Sequence, residues 1–239
     1  MSGEYDGQAP SDALTARVAA NLARARERIA AAGGDVAAVR IVAVTKGFGL
    51  AAVRAALACG LTHLGENYAD ELVDKAELLA ARAPEEGAHA AWHYLGAIQR
   101  NKVRRLAGRV ACFEGVDRRE EGERIATCAP GAQILVEVDC SGAPGRGGVA
   151  PAAVPELVAQ LRSLPLALAG LMTVAPPEPA AARAAFATVA RLRAELGLAQ
   201  ASMGMSDDLE LAVAAGATSV RLGRALFGPR PRPGAAPAR

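Results

Sequence analysis

Short apolar runs alternate with longer amphipathic stretches along most of the chain. The clearest run is ILVEVD at residues 134–139, and seven others occupy residues 40–44, 63–65, 92–95, 110–114, 166–172, 202–203 and 219–222. They lack the strict apolar–polar alternation of a sheet with one wet face, which is typical of parallel strands buried on both faces. The pattern therefore predicts eight strands.

The stretches between these runs carry helix signals. Ser11 or Asp12 can cap a long helix that ends at Gly33 and Gly34, seven helical stretches separate the eight runs, and a short one follows the last. This alternation predicts a single (β/α)8 TIM-type barrel with an extra N-terminal helix. An open doubly wound sheet is the alternative, but no GxGxxG follows the first run, which disfavours its dinucleotide-binding version.

The two ends of the chain do not continue this alternation. Residues 1–10 are small and polar, and residues 229–239 read PRPRPGAAPAR, a sequence whose prolines cannot continue a helix. We therefore expect both segments to be disordered, with the barrel spanning residues 11–228.

Composition and charge exclude several classes of function. The chain has 27 basic and 25 acidic residues, and this net charge of +2 is too small for a protein that binds nucleic-acid phosphates. The longest uncharged stretch, residues 163–177, is interrupted by Pro165 and Gly170, so no membrane span is predicted. Four scattered cysteines and a polar N-terminus predict a cytoplasmic protein with neither disulfides nor a metal site. No large apolar surface stripe is evident, so we expect a monomer.

Two of the runs are followed by residues with useful chemistry, in the place where active sites of such barrels lie. Lys46 directly follows the first run, where partial desolvation would favour a neutral amine that reacts with an aldehyde. Taken alone, the position of Lys46 favours a solvated loop lysine over one that forms a Schiff base. Ser206 follows the seventh run and has two interpretations: the N-cap of the next helix, or part of a turn whose backbone N–H groups face an anion.

The eighth run completes this set. Gly223 follows it and opens a short helix, and Arg221 lies within it near the same rim. The loops after strands seven and eight form the recurrent phosphate site of these barrels, whereas an ion pair inside the barrel is the structural alternative for Arg221. Together, the three strand ends indicate a phosphorylated ligand that carries an aldehyde.

A series of longer motifs runs through the chain in order. They are AVTK at residues 43–46, GENYADE at 65–71, WHYLGAIQRNK at 92–102, GLM at 170–172, SMGMSDDLELAVAAGATSVRLG at 202–223 and ALFG at 225–228. In residues 13–228 the chain resembles the pyridoxal-phosphate homeostasis protein family, the single-barrel relatives of the alanine racemase N-terminal domain.

The resemblance implies a barrel that binds pyridoxal 5'-phosphate, with Lys46 holding this cofactor as an internal aldimine, a Schiff base. The other implied cofactor-binding residues are Ser206, Gly223 and Arg224 at the phosphate, Arg221 at the pyridine nitrogen, and Asn67 and Met172 beside the ring. The resemblance further implies a role in cofactor homeostasis, as a carrier, buffer or regulator, with no robust catalysis and hence no catalytic residue. Transient contact with pyridoxal-phosphate-dependent apoenzymes is expected with it.

The residue chemistry agrees with a carrier. An arginine at the ring nitrogen cannot stabilise a protonated pyridinium, so the ring would be a poor electron sink. Racemases of similar fold add a second domain with a tyrosine base, and Tyr5, Tyr68 and Tyr94 match no such element. A minimal amino acid racemase is the alternative, and a binding module that uses the proline–arginine tail is a second.

Two positions depart from the family pattern. Arg224 stands where the family usually has a small hydroxyl residue, and its side chain either adds a cation or points to solvent. Arg146 aligns with a family lysine, but an arginine cannot form a Schiff base at neutral pH. Cofactor transfer through a second lysine at this point is therefore not expected.

Overall fold

Eight parallel strands form a closed barrel in the computed structural model, which describes residues 9–230. The strands are β1 Arg40–Val44, β2 His63–Glu66, β3 Ala91–Tyr94, β4 Val110–Val116, β5 Gln133–Glu137, β6 Ala167–Met172, β7 Gln200–Ser202 and β8 Ser219–Leu222. They pair in chain order, and β8 pairs with β1 from Arg40–Ser219 to Ala43–Leu222. The predicted barrel is confirmed, and the open sheet is wrong because β1 and β8 would then be unpaired edges.

Helices cover the outside of the barrel. They are α1 Asp12–Ala31, α2 Leu50–Ala58, α3 Ala69–Arg82, α4 Pro84–Ala88, α5 Val103–Leu106, α6 Arg119–Cys128, α7 Val154–Leu161, α8 Pro179–Glu195, α9 Leu209–Ala214 and α10 Arg224–Phe227. The hydroxyl of Ser11 accepts the Leu14 N–H at 3.2 Å, which confirms the predicted N-terminal cap of α1. This extra helix packs on α10, α2 and α9, over the junction of β8 and β1.

Side-chain alternation along the strands separates an apolar shell from a more polar interior. The shell beneath the helices is one continuous cluster that includes Ala43, Leu64 and Phe113. Neighbouring positions point inward, where a small apolar cluster of Cys112, Leu135 and Met172 forms. The interior also holds the buried charged side chains of Glu114 and Arg221.

Several boundaries differ from the sequence prediction. The short helix α4 was not predicted, since it follows α3 after a single residue, Ala83, and begins at Pro84. The helix α9 begins at Leu209 rather than after Ser206. Of the terminal segments predicted to be disordered, residues 1–8 and 231–239 lie outside the described residues. Within residues 9–230, no helix is both long and apolar enough to cross a membrane.

Candidate functional site

A cavity of about 370 Å³ opens at the carboxyl ends of the strands. Its volume lies in the range of roughly 300–1,000 Å³ that is usual for small-ligand sites. All seven residues predicted to bind the cofactor line it, namely Lys46, Asn67, Met172, Ser206, Arg221, Gly223 and Arg224. The structure therefore brings together residues from five separate parts of the chain, at the ends of β1, β2, β6, β7 and β8.

A second depression, of about 460 Å³, lies between the loop after β3 and α6. It is shallow and is lined by exposed or half-buried side chains such as Arg100, Glu120 and Arg124. The cavity over the barrel is smaller, but it combines apolar walls with a buried arginine and a half-buried lysine. Ligand sites have this combination of apolar walls and few convergent polar groups, so we regard the cavity as the candidate site.

Lys46 enters the cavity two residues after the end of β1. Val44, the last residue of β1, lines the same cavity and is paired in register with Gly65 of β2. After Lys46 the chain turns at Gly47, whose φ of +74° favours glycine. Burial, together with the positive charge of Arg230, lowers the pKa of the Lys46 amine. A larger fraction of this amine is therefore neutral and nucleophilic than for a solvated lysine.

Arg221 is buried beneath the cavity with its guanidinium held in one orientation. Its Nη1 donates to the carbonyl and to the hydroxyl of Ser202, both at 2.8 Å, and its Nη2 donates to the Thr173 carbonyl at 2.7 Å. Burial lowers the pKa of Arg221, and the charges of Glu114 and Glu137 oppose this effect. The structural alternative for Arg221 was an ion pair inside the barrel. Arg221 is instead connected to Glu114 through the Ser202 hydroxyl, which hydrogen-bonds to both side chains.

Ser206 connects the two loops that follow β7 and β8. Its Oγ accepts the Ala225 N–H at 3.1 Å, and its carbonyl accepts a hydrogen bond from Arg28 at 3.0 Å. The interpretation of Ser206 as an N-cap is wrong, because a turn separates it from α9 and Asp208 occupies the N-cap position. Since the Oγ accepts this bond, its own O–H remains able to donate toward the cavity.

Gly223 and Arg224 complete the rim after β8. A Cβ at Gly223 would lie 3.2 Å from the Val44 carbonyl oxygen, so a larger residue would crowd the end of β1, two residues before Lys46. The exposed Arg224 side chain forms an ion pair with Asp207. Arg224 therefore joins the loops after β7 and β8 at the rim of the cavity, which both residues line.

A polar network that local sequence patterns do not predict lies inside the barrel. Glu114 of β4 accepts a hydrogen bond from the Ser202 hydroxyl at 2.6 Å, and its other oxygen lies 2.5 Å from His93 Nδ1. The second ring nitrogen of His93 lies 2.9 Å from His63 Nδ1. A chain of hydrogen bonds thus runs from β2 through the interior to the guanidinium of Arg221.

Electrostatics differ along this network. Burial alone would raise the pKa of Glu114, but the hydrogen bond from His93 and the nearby positive charges lower it below its usual range. Burial and the neighbouring His93 lower the pKa of His63 to about 4. Within residues 9–230, His93, Cys112 and Glu114 are the one set of three potential metal ligands found together. Hydrogen bonds already engage His93 and Glu114.

Arg146 lies outside the cavity lining. It follows β5 in the loop before α7, and its guanidinium is 3.4 Å from the carbonyl of Val174, which does line the cavity. Arg146 is therefore adjacent to the candidate site without forming its wall.

Comparison with known proteins gives consistent results. Residues 15–231 match the alanine racemase N-terminal domain family. The pyridoxal phosphate homeostasis protein of Pseudomonas aeruginosa is 42% identical over 91% of this chain and 96% of its own length. An unknown protein from Bifidobacterium adolescentis has a crystal structure with a TM-score of 0.84 and 31% identity, covering 92% of this chain and 98% of that one. PipY of Synechococcus elongatus with pyridoxal phosphate bound has a TM-score of 0.71 and 32% identity, covering 85% of this chain and 100% of PipY.

Proposed function

Because this chain belongs to the alanine racemase N-terminal domain family and, within it, to the pyridoxal phosphate homeostasis proteins, we propose that its cavity binds pyridoxal 5'-phosphate. The observation that carries the proposal is the meeting of Lys46 with Ser206, Gly223 and Arg224 in one cavity. The bound state of PipY, a relative of similar fold, supports the choice of cofactor.

The residues that line the cavity suit pyridoxal 5'-phosphate. The cofactor needs an amine for its aldehyde, donors for its phosphate and a flat apolar wall for its ring. The chain has three lysines, Lys46, Lys75 and Lys102, and Lys46 is the one that lines the cavity. Leu95 and Met172 supply apolar wall, and the Ser206 hydroxyl supplies a donor.

Each residue has a distinct role in this proposal. When bound, the cofactor supplies an aldehyde that condenses with a neutral amine and releases water. Lys46 provides this amine, made more nucleophilic by burial. Ser206 and the backbone N–H groups of Gly223 and Arg224 hold the phosphate, while Asn67 and Met172 position the ring.

Arg221 determines which chemistry the site favours. Its guanidinium, fixed by hydrogen bonds to Ser202 and Thr173, carries donors and no acceptor, so beside the ring nitrogen it favours the unprotonated form. This arrangement disfavours the electron withdrawal that racemases and decarboxylases require. We therefore propose a carrier or buffer of the cofactor that contacts pyridoxal-phosphate-dependent apoenzymes transiently and has no robust turnover.

The remaining proposals concern the bounds of the domain, its oligomeric state and its cellular compartment. We propose that residues 11–228 form the cofactor-binding domain and that it acts as a monomer. The four cysteines are free thiols, which suits the reducing conditions of the cytoplasm.

The test is covalent trapping on wild type and Lys46→Ala. We expect a visible absorption band on addition of pyridoxal 5'-phosphate, and after borohydride reduction an adduct on the Lys46 peptide. Lys102→Ala is the matched control, because Lys102 is paired with Asp70 outside the cavity, and it should retain the adduct. An adduct that persists in Lys46→Ala would refute the assignment.

A second measurement separates carrier from racemase. The loaded protein is incubated with alanine in deuterated water, and exchange at the α-carbon is followed by NMR. We expect no exchange above that of free cofactor. Exchange that depends on Lys46 would overturn the proposed absence of turnover.

A further inference from the structure

A buried group of charged side chains lies behind Lys46, between β1, β2 and α3. Lys75 of α3 and Glu66 of β2 are both fully buried. The Lys75 ammonium donates to Glu66 Oε1 at 2.5 Å, to Glu71 Oε1 at 2.8 Å and to the Thr45 carbonyl at 2.7 Å. Glu71 and Lys75 are one helical turn apart, so they share the face of α3 that packs on the barrel.

This group holds the backbone on both sides of Lys46. Thr45, the preceding residue, is bound through its carbonyl by Lys75 and through its hydroxyl by Glu66 at 2.6 Å. Gly47, the following residue, donates its N–H to Glu71 Oε1 at 2.7 Å. The two residues that flank Lys46 are therefore tied to one cluster of three side chains.

We propose that Glu66, Glu71 and Lys75 are positioning residues for Lys46: they fix the backbone that flanks it and place negative charge behind its amine. The inference rests on the proposed function, because it assigns residues to the same site. It concerns the opposite side of the chain from the cavity, since Thr45 faces α3 while Lys46 faces the cavity.

Stability alone does not account for such a group. Burying an ammonium and two carboxylates costs desolvation free energy that their attraction offsets only when the geometry is good, and apolar residues of similar size commonly do as well. Here one Glu66 oxygen is buried without a hydrogen-bond partner within residues 9–230, which adds to the cost. A role in positioning Lys46 explains why the geometry converges on residues 45 and 47.

The charges around Lys46 act in opposite directions. Burial, Arg230 of the C-terminal segment and Arg221 of β8 favour the neutral amine, whereas Glu66 and Glu71 favour the ammonium form. Lys75 compensates one of the two carboxylates. Burial raises the pKa of Glu66 to about 7, so the net negative charge behind Lys46 increases as the pH rises through neutrality.

The positioning role is tested first by amide hydrogen exchange at Gly47 in the cofactor-free protein. Glu71→Ala removes the acceptor, and we expect Gly47 exchange to become about tenfold faster, as for the loss of a hydrogen bond to a charged group. Glu71→Gln keeps an oxygen acceptor and should stay near the wild-type rate. Unchanged exchange in Glu71→Ala would overturn the proposal.

Glu121 offers a matched control. It is a buried glutamate that accepts the Asp117 N–H at 3.0 Å, and it lies on α6 outside the cavity lining. Glu121→Ala should accelerate exchange at Asp117 and leave Gly47 unchanged. Acceleration at Gly47 in this variant would show a general loosening of the barrel and would contradict a local role for Glu71.

The electrostatic role is tested by competitive acylation of Lys46 across pH in the cofactor-free protein, followed by peptide mass mapping. We expect Glu66→Gln to lower the pKa of Lys46 by about one unit, because a nearby negative charge is lost. Glu121→Gln should leave it unchanged, and an unchanged pKa in Glu66→Gln would overturn the charge role. Neither readout needs bound cofactor, so failure of cofactor trapping on Lys46 and failure of this inference are distinguishable.

Discussion

Removing two serine hydroxyls from directly paired positions of β7 and β8 should have very different effects on stability. Ser202 and Ser219 are register partners, and both are buried. The Ser202 hydroxyl donates to Glu114 at 2.6 Å and accepts from Arg221 at 2.8 Å. The Ser219 hydroxyl has no hydrogen-bond partner within residues 9–230. The pair therefore isolates the contribution of hydrogen bonding from that of side-chain volume.

The size of the effect follows from what each change leaves behind. In Ser202→Ala, Arg221 keeps the Ser202 carbonyl at 2.8 Å, but one oxygen of the buried Glu114 loses its partner. With hydrogen bonds to charged groups at about 1.5–3 kcal/mol, we expect a loss of about 2–4 kcal/mol in the free energy of unfolding. Ser219→Ala removes an unpaired hydroxyl, so we expect a change within about 0.5 kcal/mol, or a slight gain.

Equilibrium urea unfolding measures both variants, with far-UV circular dichroism and the fluorescence of Trp92, the single tryptophan, as probes. At an unchanged denaturant slope, a lower midpoint reports lost stability. For a chain of this size, the expected loss in Ser202→Ala corresponds to a melting temperature lower by roughly 4–16 °C. Equal losses in the two variants would refute the reasoning, because they would show that volume, and not the bonds to Glu114 and Arg221, determines the cost.

Three further predictions concern other parts of the barrel. Burial lowers the pKa of His63 from 6.5 to about 4, so between these pH values the unfolded chain binds more protons than the folded one and stability falls with pH. Between pH 7 and pH 4.5, His63→Gln should therefore lose less free energy of unfolding than the wild type. Gly96→Ala would place a Cβ 2.0 Å from the Asn67 carbonyl oxygen, and we expect the free energy of unfolding to fall by more than about 2 kcal/mol. Gly87→Ala is the control in the same urea assay: the nearest atom to its Cβ would lie at 3.5 Å, so it should be neutral or stabilising. Arg224→Ala breaks an exposed ion pair and should change the free energy of unfolding by less than about 1 kcal/mol.

Local sequence signals were sufficient for the strands that carry the site. The bounds of β1 and β8 agree with the apolar runs, because Thr45 and Gly223 directly follow the runs and end them. Lys46 and Gly223 then follow from their positions at those strand ends. The signal was ambiguous at Ser206, where two acidic residues imitate the first turn of a helix but form a turn before Leu209.

The interior network depends on contacts that no local pattern contains. Glu114 and Ser202 are 88 residues apart in the chain, on strands that are not neighbours in the barrel. They meet across the interior, which requires the closure and stagger of all eight strands. His93 shows the same limit: its neighbours in the chain do not indicate its partners, whereas the barrel places it beside Glu114 and His63.

The strand β1 and its extension place two kinds of chemistry on the two sides of one chain. Thr45 faces α3 and joins the buried charges of Glu66 and Lys75, whereas Lys46 faces the cavity. A slip of one residue in register would exchange these sides and would put an ammonium in the apolar shell. Pairing of β1 with β8 opposes such a slip, and so does Gly65, where a Cβ would lie 3.0 Å from Val42 and 3.4 Å from Val44. The register of β1 is therefore the structural condition on which both the cavity chemistry of Lys46 and the support behind it depend.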